Sequence, residues 1–105
     1  MLQTSVRRTD RIALSAVSLV EIAILYGQGK LKLNASLSEF FNEMQSNPVF
    51  SVLPLTYEIA LEAAMLANLR DPADRAIVAT ARVHGLTLVT SDQRIIESKL
   101  VPVVA

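Results

Sequence analysis

Short apolar runs alternate with amphipathic stretches along this 105-residue chain. Residues 12–16, IALSA, read as a short buried strand. A helix is expected from Ser18 to about Gln28, with Gly27 and Gly29 as stop signals. Residues 36–46, SLSEFFNEMQS, carry apolar positions at helical spacing, and Pro48 ends that helix. Residues 50–55, FSVLPL, read as a strand whose end is confined by Pro54. Thr56 then caps a helix over YEIALEAAMLANL, residues 57–69. The next helix has the clearest boundaries: Asp71 at the N-cap, Pro72 at N1, Asp74 at N3 and Gly85 just past its end. LTLVT, residues 86–90, is apolar enough for a strand covered on both faces. A short helical turn after Asp92 and a last strand in VPVV complete the chain. Strands alternating with helices predict an α/β fold with a mainly parallel sheet.

Composition narrows the function classes. The length suits one domain, residues 1–105, with one core. Hydrophobic residues make up 51%, high for a small soluble protein. The most apolar run, 12–26, is interrupted by Glu21 and too short to span a bilayer, so no membrane role is expected. MLQTSVRRTD lacks the apolar core of a signal peptide, and residues 1–10 are expected to be a poorly ordered or residual helical arm. Cysteine is absent, which excludes disulfides and thiolate sites and fits a cytoplasmic location. The formal net charge is zero, so nucleic-acid binding must use a local patch; Arg7, Arg8 and Arg11 form the densest one. His84 is the single histidine and falls at a helix C-terminus, which leaves little room for zinc or Cys–His chemistry. Tyr26, Tyr57, Phe40, Phe41 and Phe50 show no stacking pattern and read mostly as core.

Three acids stand out by position. In open parallel sheets, sites form at the carboxyl ends of strands, where helices begin. Glu21 is expected in the first turn after IALSA, Asp74 in the first turn of its helix, and Asp92 directly after LTLVT. Clustered carboxylates raise one another's pKa, and a divalent cation removes that penalty. Oxygen ligands with room for waters suit Mg²⁺ or Mn²⁺. Each acid also fits a purely local role. Ser18-x-x-Glu21 reads as a capping box, Asp71 and Asp74 favour a helix start, and Asp92 can cap the next turn.

The segments SAVSLVEIA with the following GKLKL, then DPADRAIVATA and LVTSD, together resemble the PIN domain, over about residues 10–104. They are most similar to the VapC-like toxin branch of toxin–antitoxin pairs, in its D-P-x-D-R subgroup. The resemblance implies a three-layer α/β fold and a metal-dependent endoribonuclease. It implies Glu21, Asp74 and Asp92 as catalytic metal ligands for Mg²⁺ or Mn²⁺. Ser18 and Thr90 match small hydroxyl residues beside such sites, and Arg75 matches an arginine expected to pair with a neighbouring acid. Asp71 is an extra acid, kept as a cap. Implied partners are an RNA substrate, a cognate antitoxin and a second copy in a homodimer.

One departure stands beside the resemblance. PIN domains begin with a central apolar strand ending in an aspartate ligand, and only MLQTSVRRTD precedes RIALSAVS here. Asp10 falls before a strand, at the wrong edge to substitute. The expectation is an N-terminally truncated sheet lacking its central member, with the apolar excess marking strands left without a partner. The alternative function is then a degenerate, non-catalytic PIN module that binds an antitoxin or another PIN subunit.

Overall fold

The computed structural model describes residues 4–6, 12–89 and 93–104. In chain order the elements are β1 (Thr4–Val6), β2 (Ile12–Ser15), α1 (Ala16–Gly27), α2 (Leu37–Ser46), β3 (Phe50–Leu53), α3 (Tyr57–Ala64), α4 (Pro72–His84), β4 (Thr87–Val89), α5 (Gln93–Ser98) and β5 (Val103–Val104). The class is α/β, as the alternating pattern predicts. Among the described residues no helix is long and apolar enough to cross a membrane.

The strands form one sheet in the order β3-β2-β1-β4-β5. β2 pairs with β3 in parallel, and β4 with β5 in parallel. β1 lies between these two pairs and runs antiparallel to both. Ser5 stands opposite Ala13 on one side and Leu88 on the other. The central place expected to be empty is therefore filled, by residues assigned above to an arm. The physical reason is backbone satisfaction. The facing edges of β2 and β4 carry N–H and C=O groups that must find partners. Thr4 and Val6 are residue types that suit a strand.

Local signals explain most helix boundaries. Ser36 and Glu39 form a reciprocal capping box at α2, with bonds of 3.1 and 3.2 Å. Thr56 Oγ1 accepts from the Ile59 amide at the start of α3. At the end of α4, Gly85 adopts φ +65°. Its N–H bonds the Arg82 carbonyl, and the Leu86 N–H bonds Ala81. That is a Schellman ending, which needs the left-handed conformation glycine supplies at least cost.

Two boundaries differ from expectation. α1 starts at Ala16, with Ser15 as its N-cap accepting from the Val17 amide. Ser18 is therefore inside the helix, and no capping box forms between Ser18 and Glu21. Both serines suit the cap by type, but Ser15 ends β2 in extended conformation and so meets the geometric requirement first. α3 ends at Ala64 rather than 69. Tight turns follow, with Leu66 bonding back to Ala63 and Leu69 to Leu66. These turns bury both Leu66 and Leu69.

The core is built around α4. Ile77, Val78, Ala79 and Ala81 meet Ile59 of α3, Leu88 of β4, Ile95 of α5 and Val101. Arg82 of α4 bonds Glu62 of α3 at 2.6 Å and donates to the Leu100 carbonyl. The aromatic residues are not core. Tyr57 is 93% exposed, and Phe40, Phe41 and Phe50 are half-buried. The apolar excess lies on helix faces and the β3 edge, at Val20, Ile24, Val52, Leu61 and Met65. The expected cause, strands without a partner, does not hold for β2 and β4, which β1 covers.

Because β1 is flanked on both sides, each of its N–H groups faces a partner strand. Ser5→Pro should remove a ladder bond and strand a buried acceptor, lowering stability by about 1–3 kcal/mol in denaturant unfolding. A free arm at residues 4–6 would tolerate proline with no change.

Candidate metal centre

α1 leaves directly from the end of β2, which sets Glu21 in its second turn rather than its first. Ser18 and Glu21 are three residues apart and share one helix face. Ser18 is fully buried, and its Oγ has no hydrogen-bond partner among the described residues. Glu21 Oε1 is also buried without a partner. A buried, unsatisfied carboxylate oxygen costs more than a neutral one, so the pair calls for a group that can fill its coordination.

The second acid comes from α4. Asp71 caps this helix: Oδ1 accepts from the Ala73 amide at 2.8 Å and from Asp74 at 3.3 Å. That cap, with Pro72 behind it, holds Asp74 in the first turn, where it is 7% exposed. Burial pushes the Glu21 carboxyl above its usual pKa of 4.5, and the like charges of Asp74 and Asp71 push the same way. Glu21 and Asp74, carried on different elements, thus lie within each other's field. Among the described residues no three acids or histidines stand close enough together to hold a metal. Thr90 and Asp92, the remaining expected members, lie outside the described residues.

Arg75 braces the backbone before α4. It donates from Nε to the Leu69 carbonyl and from Nη2 to Ala67 at 3.4 Å. The guanidinium thereby satisfies carbonyls in the turns that follow α3, and fixes the stretch leading into Asp71. Among the described residues its hydrogen bonds go to these carbonyls, which positions the start of α4. The cation beside Asp74 is Arg94, with Nη2 3.6 Å from Oδ2. Sequence reasoning passed over Arg94. A signal existed: a positive charge in a helix's first turn opposes the dipole, and such local misfits mark positions used for something else.

The PIN domain profile matches residues 2–99. This chain belongs to the PIN domain family. It is VapC-like: the protein named Ribonuclease VapC22, from Mycobacterium tuberculosis, is 31% identical over 93 residues, covering 87% of this chain and 70% of that protein. No solved structure gives a significant match. In this PIN domain the unpartnered oxygens of Ser18 and Glu21, beside Asp74, fit the oxygen-donor set a hard divalent cation takes.

Two outcomes follow. The raised Glu21 pKa favours the protonated acid in the metal-free fold. The stability this proton contributes is whole below the unfolded value of 4.5 and is lost as pH rises through the raised folded value. In chelator, wild-type unfolding free energy should therefore fall between pH 4.5 and neutrality more steeply than that of Glu21→Gln. Parallel curves would show that the site does not strain Glu21. Asp71→Ala should cost about 0.5–2 kcal/mol by loss of the cap, with divalent-metal affinity kept.

Proposed function

We propose that this PIN domain is a metal-dependent endoribonuclease of the toxin type. The observation that carries the reading is the pair of buried, unpartnered oxygens on Ser18 and Glu21 within the field of Asp74. Glu21, Asp74 and Asp92 would hold Mg²⁺ or Mn²⁺, with Ser18 and Thr90 beside them. When bound, the cation supplies an activated water for in-line attack on a phosphodiester and offsets charge on the phosphate. The chain's own residues set the stage. The Asp71 cap and the Arg75 contacts to Ala67 and Leu69 fix the start of α4, so that Asp74 needs no reorganisation. Burial of Glu21 keeps its carboxylate short of hydrogen-bond donors and hence open to a cation. The relative's printed name, a ribonuclease, supports RNA as the substrate class. The cytoplasm is the compartment this reading expects.

A second reading rests on a different observation. Leu19, Phe41, Met44, Phe50 and Val52 line an apolar groove of about 420 Å³. Tyr57, Leu61 and Met65 add an exposed apolar row, each residue four positions from the next. Such surfaces support protein partners, a cognate antitoxin and a second copy of the chain, and would serve equally a module that binds without cleaving.

Activity separates the two. Purified chain should cleave RNA with Mg²⁺ or Mn²⁺ and stop in chelator. Asp74→Asn should lower the rate at least about 10–100-fold, the loss already typical when only an outer partner of a metal ligand is removed. Cleavage by Asp74→Asn at the wild-type rate, or cleavage unaffected by chelator, would contradict the assignment. A folded, metal-binding chain with no cleavage would favour the binding module.

A further inference from the structure

α3 is apolar on both of its sides. Its sequence, YEIALEAA, holds two charged side chains, Glu58 and Glu62. Ile59 is buried in the core, and Glu62 is taken up by Arg82 of α4. The outward arc carries Tyr57, Ala60, Leu61 and Ala64, with Met65 at the C-cap, all of them exposed. Tyr57 is 93%, Leu61 71% and Met65 79% exposed. These positions follow the i, i+3, i+4, i+7, i+8 spacing of one helix face, the pattern of a face that packs against something. Exposed apolar residues scattered singly need no explanation, but a contiguous face of them marks an interaction surface.

We propose that this face is a homodimer interface, in which two copies of the chain cross antiparallel at Leu61. Shape selects a second copy as the occupant. Tyr57, Leu61 and Met65 form a ridge, and Ala60 and Ala64 form a shallow row beside it. One face thus offers both a ridge and the groove that receives it, which is the self-complementarity an isologous contact needs. Antiparallel crossing sets Leu61 against its symmetry mate and Tyr57 against the partner's Met65, a ring–thioether contact. Charge agrees with this pairing. Glu58 stands at the edge of the face, and the antiparallel direction keeps the two Glu58 carboxylates at opposite ends of the contact. The chain has zero formal net charge, so two copies do not repel each other as they approach. Area agrees as well. A buried aromatic covers about 150–250 Å² and a buried leucine or methionine on the order of 100 Å². The face therefore supplies on the order of 400 Å² of apolar surface per copy, close to the apolar share of a standard interface of about 800 Å² per partner. The platform is set before contact, because the 2.6 Å Glu62–Arg82 bond ties α3 to α4 and leaves little to order on association. The inference stands apart from RNA cleavage and holds equally for a nuclease and for a module that only binds.

Sedimentation velocity over a concentration series tests the proposal. The wild-type chain should pass from monomer to dimer as its concentration rises. Tyr57→Ala removes an aromatic anchor and should raise the dimer dissociation constant about 30-fold or more. Leu61→Glu sets two like charges face to face and should stay monomeric throughout the series. Both side chains are exposed in the single chain, so circular dichroism should show both variants folded. The chain contains no cysteine, so an introduced one reports alone. Leu61→Cys should cross-link to its symmetry mate under oxidised glutathione, because the crossing point brings the two positions within disulfide reach. Glu58→Cys should not, because its mate lies at the far end of the contact. A wild type that is monomeric at every concentration overturns the proposal. So does a dimer that survives Leu61→Glu, or one in which Leu61→Cys fails to cross-link, because that dimer uses another face.

Discussion

Among the described residues, the parallel pairs β2–β3 and β4–β5 are joined in the sheet by the backbone of Thr4–Val6. The elements that carry the candidate site are placed on both sides of that joint. β2 carries α1 and with it Glu21. β4 is followed closely by α5, which carries Arg94, and α4 packs across from β2 to β4. A three-residue strand can do this because it is hydrogen-bonded along both sides, so each residue contributes to a ladder. An edge strand of the same length would be marginal. The antiparallel direction costs nothing in pairing, since antiparallel ladders are at least as stable per residue as parallel ones.

On this frame the candidate site draws on groups carried by different elements. Ser18 and Glu21 are buried on one helix face without partners, and Asp74 is held close by a cap and a proline-started helix. A chain selected for stability alone would turn these oxygens to water or give them donors. Instead, the nearby donors are used elsewhere. Arg75 is committed to the carbonyls of Ala67 and Leu69, and Asp71 to the amides of α4. Arg94 Nη2 lies 3.6 Å from Asp74 Oδ2. The arrangement keeps carboxylates poised at a cost in stability that a bound cation would offset.

How much of this could be read from the sequence depends on how local its cause is. The whole of α4 was legible, from Asp71 through Pro72 to Gly85, because caps and left-handed glycines act within a few residues. The family was legible in DPADR and SAVSLVEIA, where chemistry and spacing coincide. The start of α1 was not. Ser15 and Ser18 are equally good caps by type, and only the path of β2 decides between them. β1 was not legible either, since three residues of mixed polarity carry no periodicity, and their pairing is decided by edges 6 to about 85 positions away. The carbonyl partners of Arg75 were not legible, because every residue has a carbonyl and no pattern marks it. The end of α3 was not legible, because the apolar spacing continues at helical period to Leu69 while the backbone turns after Ala64.

The central claim is that Glu21 and Asp74 together hold a divalent cation, and calorimetric titration of Mn²⁺ into metal-free protein tests it most directly. The account predicts one saturable site. Binding should release protons near the pH where Glu21 titrates, visible as a heat that varies with the ionisation enthalpy of the buffer. That site should be lost or strongly weakened in both Glu21→Gln and Asp74→Asn, with each variant still folded. Absence of saturable binding in the wild type, or binding unchanged in both variants, would contradict it.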